Sequence, residues 1–193
     1  MKKIIAIVLA LVVIGVGAYF MFFASTGDAQ TETTQTTQVV EDEAAASGLL
    51  SAAHQGVVDY FGEFYAATGD VPAENAEALF GLDLSLAAEY IIQMPMISVQ
   101  NDLFIGIEVT DGNIDAVVAA LNAYRENLVS DMMQYPTNLI KSNASRVIVI
   151  DNYAFLLVLG TIDDTLTDDD AQLANITAQM DEVEAIINAA LLG

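Results

Sequence analysis

The side chains best suited to hold an ion are the carboxylates of Asp163, Asp164, Asp168 and Asp170, in the stretch DDTLTDDD at 163–170. Oxygen-rich loops bind calcium, so this stretch is the candidate metal site and Ca2+ the candidate cofactor. An EF-hand loop requires Gly at its sixth position and Glu at its twelfth. Counted from Asp163, those positions hold Asp168 and Ala174, and the motif fails. The competing reading is architectural: Thr167 caps a helix, and Asp168 to Asp170 lie at its positive N-terminal end. Glycoside hydrolysis needs two carboxylates at a set separation across a cleft. Glu63, Glu89, Glu108 and Asp111 are available, but the sequence places no two of them opposite each other. There is one histidine, His54, and no cysteine. Disulfides, thiolate metal sites and cysteine nucleophiles are excluded, and a Ser-His-Asp triad would depend on His54 alone. No Gly-rich phosphate loop, nucleophile elbow or HExxH occurs. No catalytic residue and no organic cofactor is nominated.

Charge narrows the partners. The 193 residues carry 27 Asp plus Glu against 5 Lys plus Arg, a net charge of −22. Phosphate binding needs clustered bases that displace counterions, so nucleic acid is not expected as a partner. The polybasic patch that attracts anionic lipid is equally missing. Two of the bases, Lys2 and Lys3, precede an uncharged apolar run from Ile4 to Phe23. A helix of that length covers the roughly 30 Å hydrocarbon core. Residues 4–23 are expected to be a transmembrane signal anchor, with 1–3 as a cytoplasmic tip because bases stay inside. A cleaved signal peptide is the alternative, although its apolar region is usually shorter. In either case the rest of the chain is exported, with 3 bases against 27 acids, a charge of −24. Residues 24–48 are rich in Thr, Gln and acids and poor in large apolar side chains. Such a stretch cannot offset the entropy of ordering, and reads as a flexible linker.

Residues 49–193 read as the folded domain. Leu50, Ala53, Val57, Phe61, Phe64 and Tyr65 recur at helical spacing, with Gly69 as the helix cap. Tyr60, Phe61, Phe64 and Tyr65 offer an aromatic face, for which core packing accounts best at Phe61 and Phe64. A short helix is expected within Val71–Leu84, and another from Leu86 to Gln93, capped by Ser85 and stopped by Pro95. Leu103–Val109 reads as a strand. A long helix follows from Ile114, closed by Tyr135-Pro136. Arg146–Ile150 and Tyr153–Leu159 read as a hairpin turning at Asp151-Asn152. A last helix begins near Asp168, with Leu173, Ile176, Met180, Val183 and Ile187 inward. The expected fold class is α+β: a transmembrane helix, a disordered stalk, and a small domain whose three-stranded, mainly antiparallel sheet is packed by helices.

The stretch from Tyr90 to about Leu159 resembles a bacterial exported or membrane-anchored family catalogued as domain of unknown function 4358. The matching residues are Tyr90-Ile-Ile-Gln-Met94-Pro95-Met96-Ile97, Asp102, Leu121-x-x-x-Arg125, Tyr135-Pro136 and Asn152-Tyr153-Ala-Phe-Leu-Leu-Val. Asp151 stands where that family commonly has Gly, and the strand LFIGIEV lacks its usual Lys. The resemblance implies location and architecture and brings no assigned activity. Tyr90, Arg125, Tyr135, Pro136 and Tyr153 are accordingly the structural or interaction candidates. Arg125 also stands out as a rare base between apolar helix positions, and is expected either to pair with Asp102 or Glu108 or to bind an anion. The function expected from these observations is a membrane-anchored extracytoplasmic binding or protein-interaction module of the cell envelope, with an envelope protein as partner. The alternatives are a carboxylate-based envelope hydrolase and a calcium-responsive domain.

Overall fold

The computed structural model describes residues 48–193. The span expected at 4–23 lies outside the described residues, as does the linker apart from Gly48. Among the described residues no helix is long and apolar enough to cross a membrane.

The elements are α1 (Gly48–Phe61), β1 (Gly69–Asp70), α2 (Ala73–Phe80), β2 (Ala87–Met94), β3 (Leu103–Val109), α3 (Ile114–Ser130), α4 (Pro136–Ala144), β4 (Arg146–Ile150), β5 (Tyr153–Val158) and α5 (Asp169–Leu192). They form an α+β domain around a five-stranded sheet in the order β1-β2-β3-β5-β4. Every neighbouring pair is antiparallel. β3 and β4 therefore run parallel on either side of β5, joined by a crossover through α3 and α4. Alternating side chains serve two cores. On one face Phe104, Phe155 and Leu157 pack beneath α1 and α5. On the other, Ile105, Ile107 and Leu156 pack beneath α2 and α3.

Where α1 crosses the sheet, Gly106 leaves room for Leu50, Phe104 and Phe155. A Cβ there would lie 3.0 Å from an atom of each. Further along α1, the His54 ring stands edge-on to Phe104 with centroids 4.8 Å apart. β1 then brings Gly69 opposite Met94. α1 thus runs from the Gly106 region of β3 toward the end of the sheet where β2 finishes and β3 starts.

Five of the local expectations are corrected. Leu86–Gln93 is not a helix: β2 occupies 87–94, and the sheet gains two strands over the three expected. Ala, Glu, Gln and Met favour helix, but Tyr90 and Ile92 face one core and Ile91 the other, and pairing on both sides of β2 overrides propensity. α1 ends at Phe61, followed by a 3-10 turn at Gly62–Phe64, and Gly62 rather than Gly69 takes the left-handed conformation, with φ of 54°. Phe64 is 62% exposed instead of core. Pro136 does not end the long helix, which stops at Ser130. It starts α4 at the position where a missing N–H costs nothing. The cap of α5 is Asp168, whose carboxylate accepts from the Ala171 N–H, and not Thr167. The hairpin turn is where it was expected, with Asp151 at φ of 51°.

Candidate functional site

Three connecting segments meet at the N-terminal end of α4: 95–102 between β2 and β3, 131–135 between α3 and α4, and 159–168 before α5. An amide network ties the first two to α4. Asn101 Nδ2 donates to Gln134 Oε1 (3.0 Å), to the Asn138 carbonyl (3.1 Å) and to Ser142 Oγ (2.8 Å). Asn138 Nδ2 donates to the Val99 carbonyl at 3.0 Å, and Ser142 Oγ to Gln134 Oε1 at 2.9 Å. Gln134 Nε2 in turn donates to the carbonyls of Leu128 and Asp131. Fixed polar contacts of this kind give irregular backbone a defined shape. Asn101 Oδ1 is buried and has no partner.

Beside the network, Lys141 Nζ donates to both oxygens of Asp102 at 2.8 Å. Asp102 is 1% exposed. Burial pushes its carboxyl above the ordinary carboxylate range, and the Lys141 ammonium opposes the shift. Above the pair opens a groove of about 570 Å3, whose walls include Val99, Tyr135, Pro136 and Ile162 with Lys141. Its surroundings are apolar and uncovered: Ile97 is 57%, Val99 52%, Tyr135 61% and Met133 93% exposed. Pro136 also bounds a second hollow of about 250 Å3, reached by Leu139, Leu173, Asp169 and Asp170.

A smaller polar cluster lies beneath α1. Gln93 Nε2 donates to Asp70 Oδ1 at 2.8 Å, which leaves Gln93 Oε1 as an acceptor. His54 Nε2–H donates to that oxygen at 2.8 Å, and the Tyr65 hydroxyl donates to the same oxygen at 3.0 Å. Burial pushes His54 below its ordinary value, against the Gln93 hydrogen bond and the Asp70 charge. Burial, with Asp102 and Asp70 nearby, pushes the Tyr65 hydroxyl upward.

The groove gathers Tyr135 and Pro136 of the expected residues, together with Asp102 from the same motif set. The others lie elsewhere. Arg125 pairs with neither Asp102 nor Glu108, since Lys141 holds Asp102. Arg125 Nε donates to the Ser145 carbonyl at 2.8 Å, at the far end of α4. Tyr90 packs at the margin of the α2/α3 core, and Tyr153 is buried under α1 and α5. Asp163 accepts from the Thr165 N–H and hydroxyl in a local turn. Asp168 is the α5 cap, Asp164 is exposed, and Asp170 borders the second hollow. Among the described residues no three His, Cys, Asp or Glu side chains group as metal ligands. Glu89 and Glu108, which the sequence left unrelated, are direct cross-strand partners. Glu89 Oε2 is buried without a hydrogen bond, Asn152 Nδ2 donates to Glu108 Oε1 at 3.2 Å, and neither glutamate lines the groove.

Sequence reasoning missed Lys141, Asn101 and Asn138. The scarcity of bases that singled out Arg125 applies equally to Lys141. The amides carry no such signal, because their partners are 33 to 41 residues away in the chain. No curated protein and no solved structure matches the chain. The segment that builds the sheet, α2, α3, α4 and the groove's principal walls does have relatives. Residues 62–159, half of the chain, match the model of the family described as "Domain of unknown function (DUF4358)", and the chain belongs to that family.

Proposed function

We propose that residues 48–193 form an extracytoplasmic binding module of a bacterial cell envelope, held at the membrane by the apolar run at 4–23, and that its partner docks in the groove beside α4. The observation that carries this reading is the exposed apolar pair lining the groove, Val99 and Tyr135, with Ile97 and Met133 exposed on the same two loops, which the Asn101 and Asn138 network fixes. Large apolar side chains grouped on a rigid surface mark sites of association, and methionine adapts its shape to a partner. The groove's lysine is held by Asp102, which favours a docking role over one for that lysine as base or nucleophile. The facing glutamates lie away from the groove, which favours docking over carboxylate hydrolysis. A photo-crosslinking amino acid placed at Val99 in the full chain tests the reading in intact cells. A discrete adduct from Val99, none from the exposed α3 position Ala119, and digestion of the domain by protease added outside the cytoplasmic membrane are expected. Equal labelling from both positions, or protection from external protease, would overturn it.

A further inference from the structure

The occupant of the groove can be narrowed by charge, given the docking reading above. All three bases among the described residues are already engaged. Lys141 is held by Asp102 and Arg146 by Asp181 and Glu184, while Arg125 donates to Ser145 at the other end of α4. The uncompensated charge around the groove is therefore acidic. Asp131 and Asp164 are exposed on the flanking segments, and Asp169 and Asp170 are exposed on the second hollow, which shares Pro136 with the groove. The apolar contacts lie on both sides of Pro136: Val99, Tyr135 and Ile162 before it, Leu139 and Leu173 beyond. Two open hollows that meet at Pro136, with apolar walls and acidic residues on the second, suit an extended segment better than a compact molecule, which usually binds in a cleft that encloses most of it. We propose that the groove binds an unstructured peptide segment of a partner protein in which apolar residues adjoin one or two Lys or Arg, the apolar part on Val99, Tyr135 and Pro136 and the basic part at Asp169 and Asp170. An acidic segment meets repulsion at that end and a neutral one gains nothing from it.

The test uses the full chain in detergent micelles and three fluorescein-labelled octapeptides: Gly-Leu-Pro-Val-Gly-Lys-Lys-Gly, and the same peptide with Gln-Gln or Glu-Glu in place of Lys-Lys. Fluorescence anisotropy should show the basic peptide binding about ten-fold more tightly than the neutral one, with the acidic one weakest. Because a chain this acidic attracts any cation, local contact is separated from the general field by two variants of equal charge. Asp169→Asn with Asp170→Asn should remove most of the preference for the basic peptide. Glu74→Gln with Glu77→Gln, on α2 across the sheet, should leave it intact. Circular dichroism confirms that both variants are folded. Equal binding of all three peptides, or equal loss in both variants, overturns the charge assignment and leaves the groove a docking surface. Binding of none overturns the peptide assignment, and only joined to the absence of a Val99-specific crosslink does it also overturn docking.

Discussion

The Lys141–Asp102 pair sits where loss of either partner is costly. With Asp102 1% exposed, removal of the ammonium leaves a buried carboxylate with nothing to neutralise it. Lys141→Met should destabilise the domain by about 3–5 kcal/mol in urea unfolding. The deficit should shrink as pH falls toward the carboxylate range and Asp102 takes up a proton, and Asp102→Asn in the same chain should recover much of it. His54 behaves in the opposite sense. Its folded value is lowered, so the unfolded chain binds the proton more readily. The stability it contributes is complete above the ordinary value of about 6.5 and is lost as pH falls from there toward the lowered value. Melting temperature should therefore drop with pH in that window, and His54→Gln should flatten the slope. At this scale the sequence offered one usable signal, the rarity of bases. It drew attention to Arg125, whose guanidinium proved to fasten the end of α4, and was not applied to Lys141, which lines the groove.

Elements positioned by long-range pairing were the least legible. β2 carries helix-forming Ala, Glu, Gln and Met, and becomes a strand because β1 and β3 bond to it on either side. That pairing also forces Glu89 and Glu108 into direct opposition, an arrangement unfavourable for like charges. Glu89→Gln should consequently stabilise the domain by about 0.2–1 kcal/mol, read as a higher urea midpoint with an unchanged m-value. α4 escaped notice because PTNLIKSNA has too few apolar residues for a helical period, and Tyr135-Pro136 marks a helix start as readily as a stop. The buried stripes of the amphipathic helices were legible, although their ends were not. Leu50, Ala53, Val57 and Phe61 in α1, and Ile176, Met180, Val183 and Ile187 in α5, all face the core. α1 and α5 both lie outside the family match, and together they roof one face of the sheet.

Across the whole molecule, 27 acids act against 5 bases, and among the described residues Asp102, Asp181 and Glu184 are the acids paired with a base. Mutual repulsion of exposed carboxylates opposes the compact state. Raising sodium chloride from about 0.01 M to about 1 M shortens the Debye length from about 30 Å to about 3 Å. The melting temperature should rise over that range, since the buried Lys141–Asp102 pair is screened far less than the surface. A fall would mean that attractive surface pairs outweigh the repulsion. The geometry also gives the module a direction. α1 starts at Gly48 near the Gly106 region of β3 and runs toward the end of the sheet where the 95–102 loop emerges. The groove therefore opens at the end of the domain away from the start of α1.

The sequence by itself determined the acidic character, the absence of thiol chemistry, the α+β class, the β4–β5 turn and the buried stripes of α1 and α5. Each of these depends on composition or on periodicity within one element, and so is written locally. The tertiary structure alone decided that β2 is a strand, that Asp102 meets Lys141, that Glu89 faces Glu108, and that Val99, Tyr135 and Pro136 share a groove. Those outcomes join residues far apart in the chain, where sheet register and packing, which no local pattern encodes, select the partner.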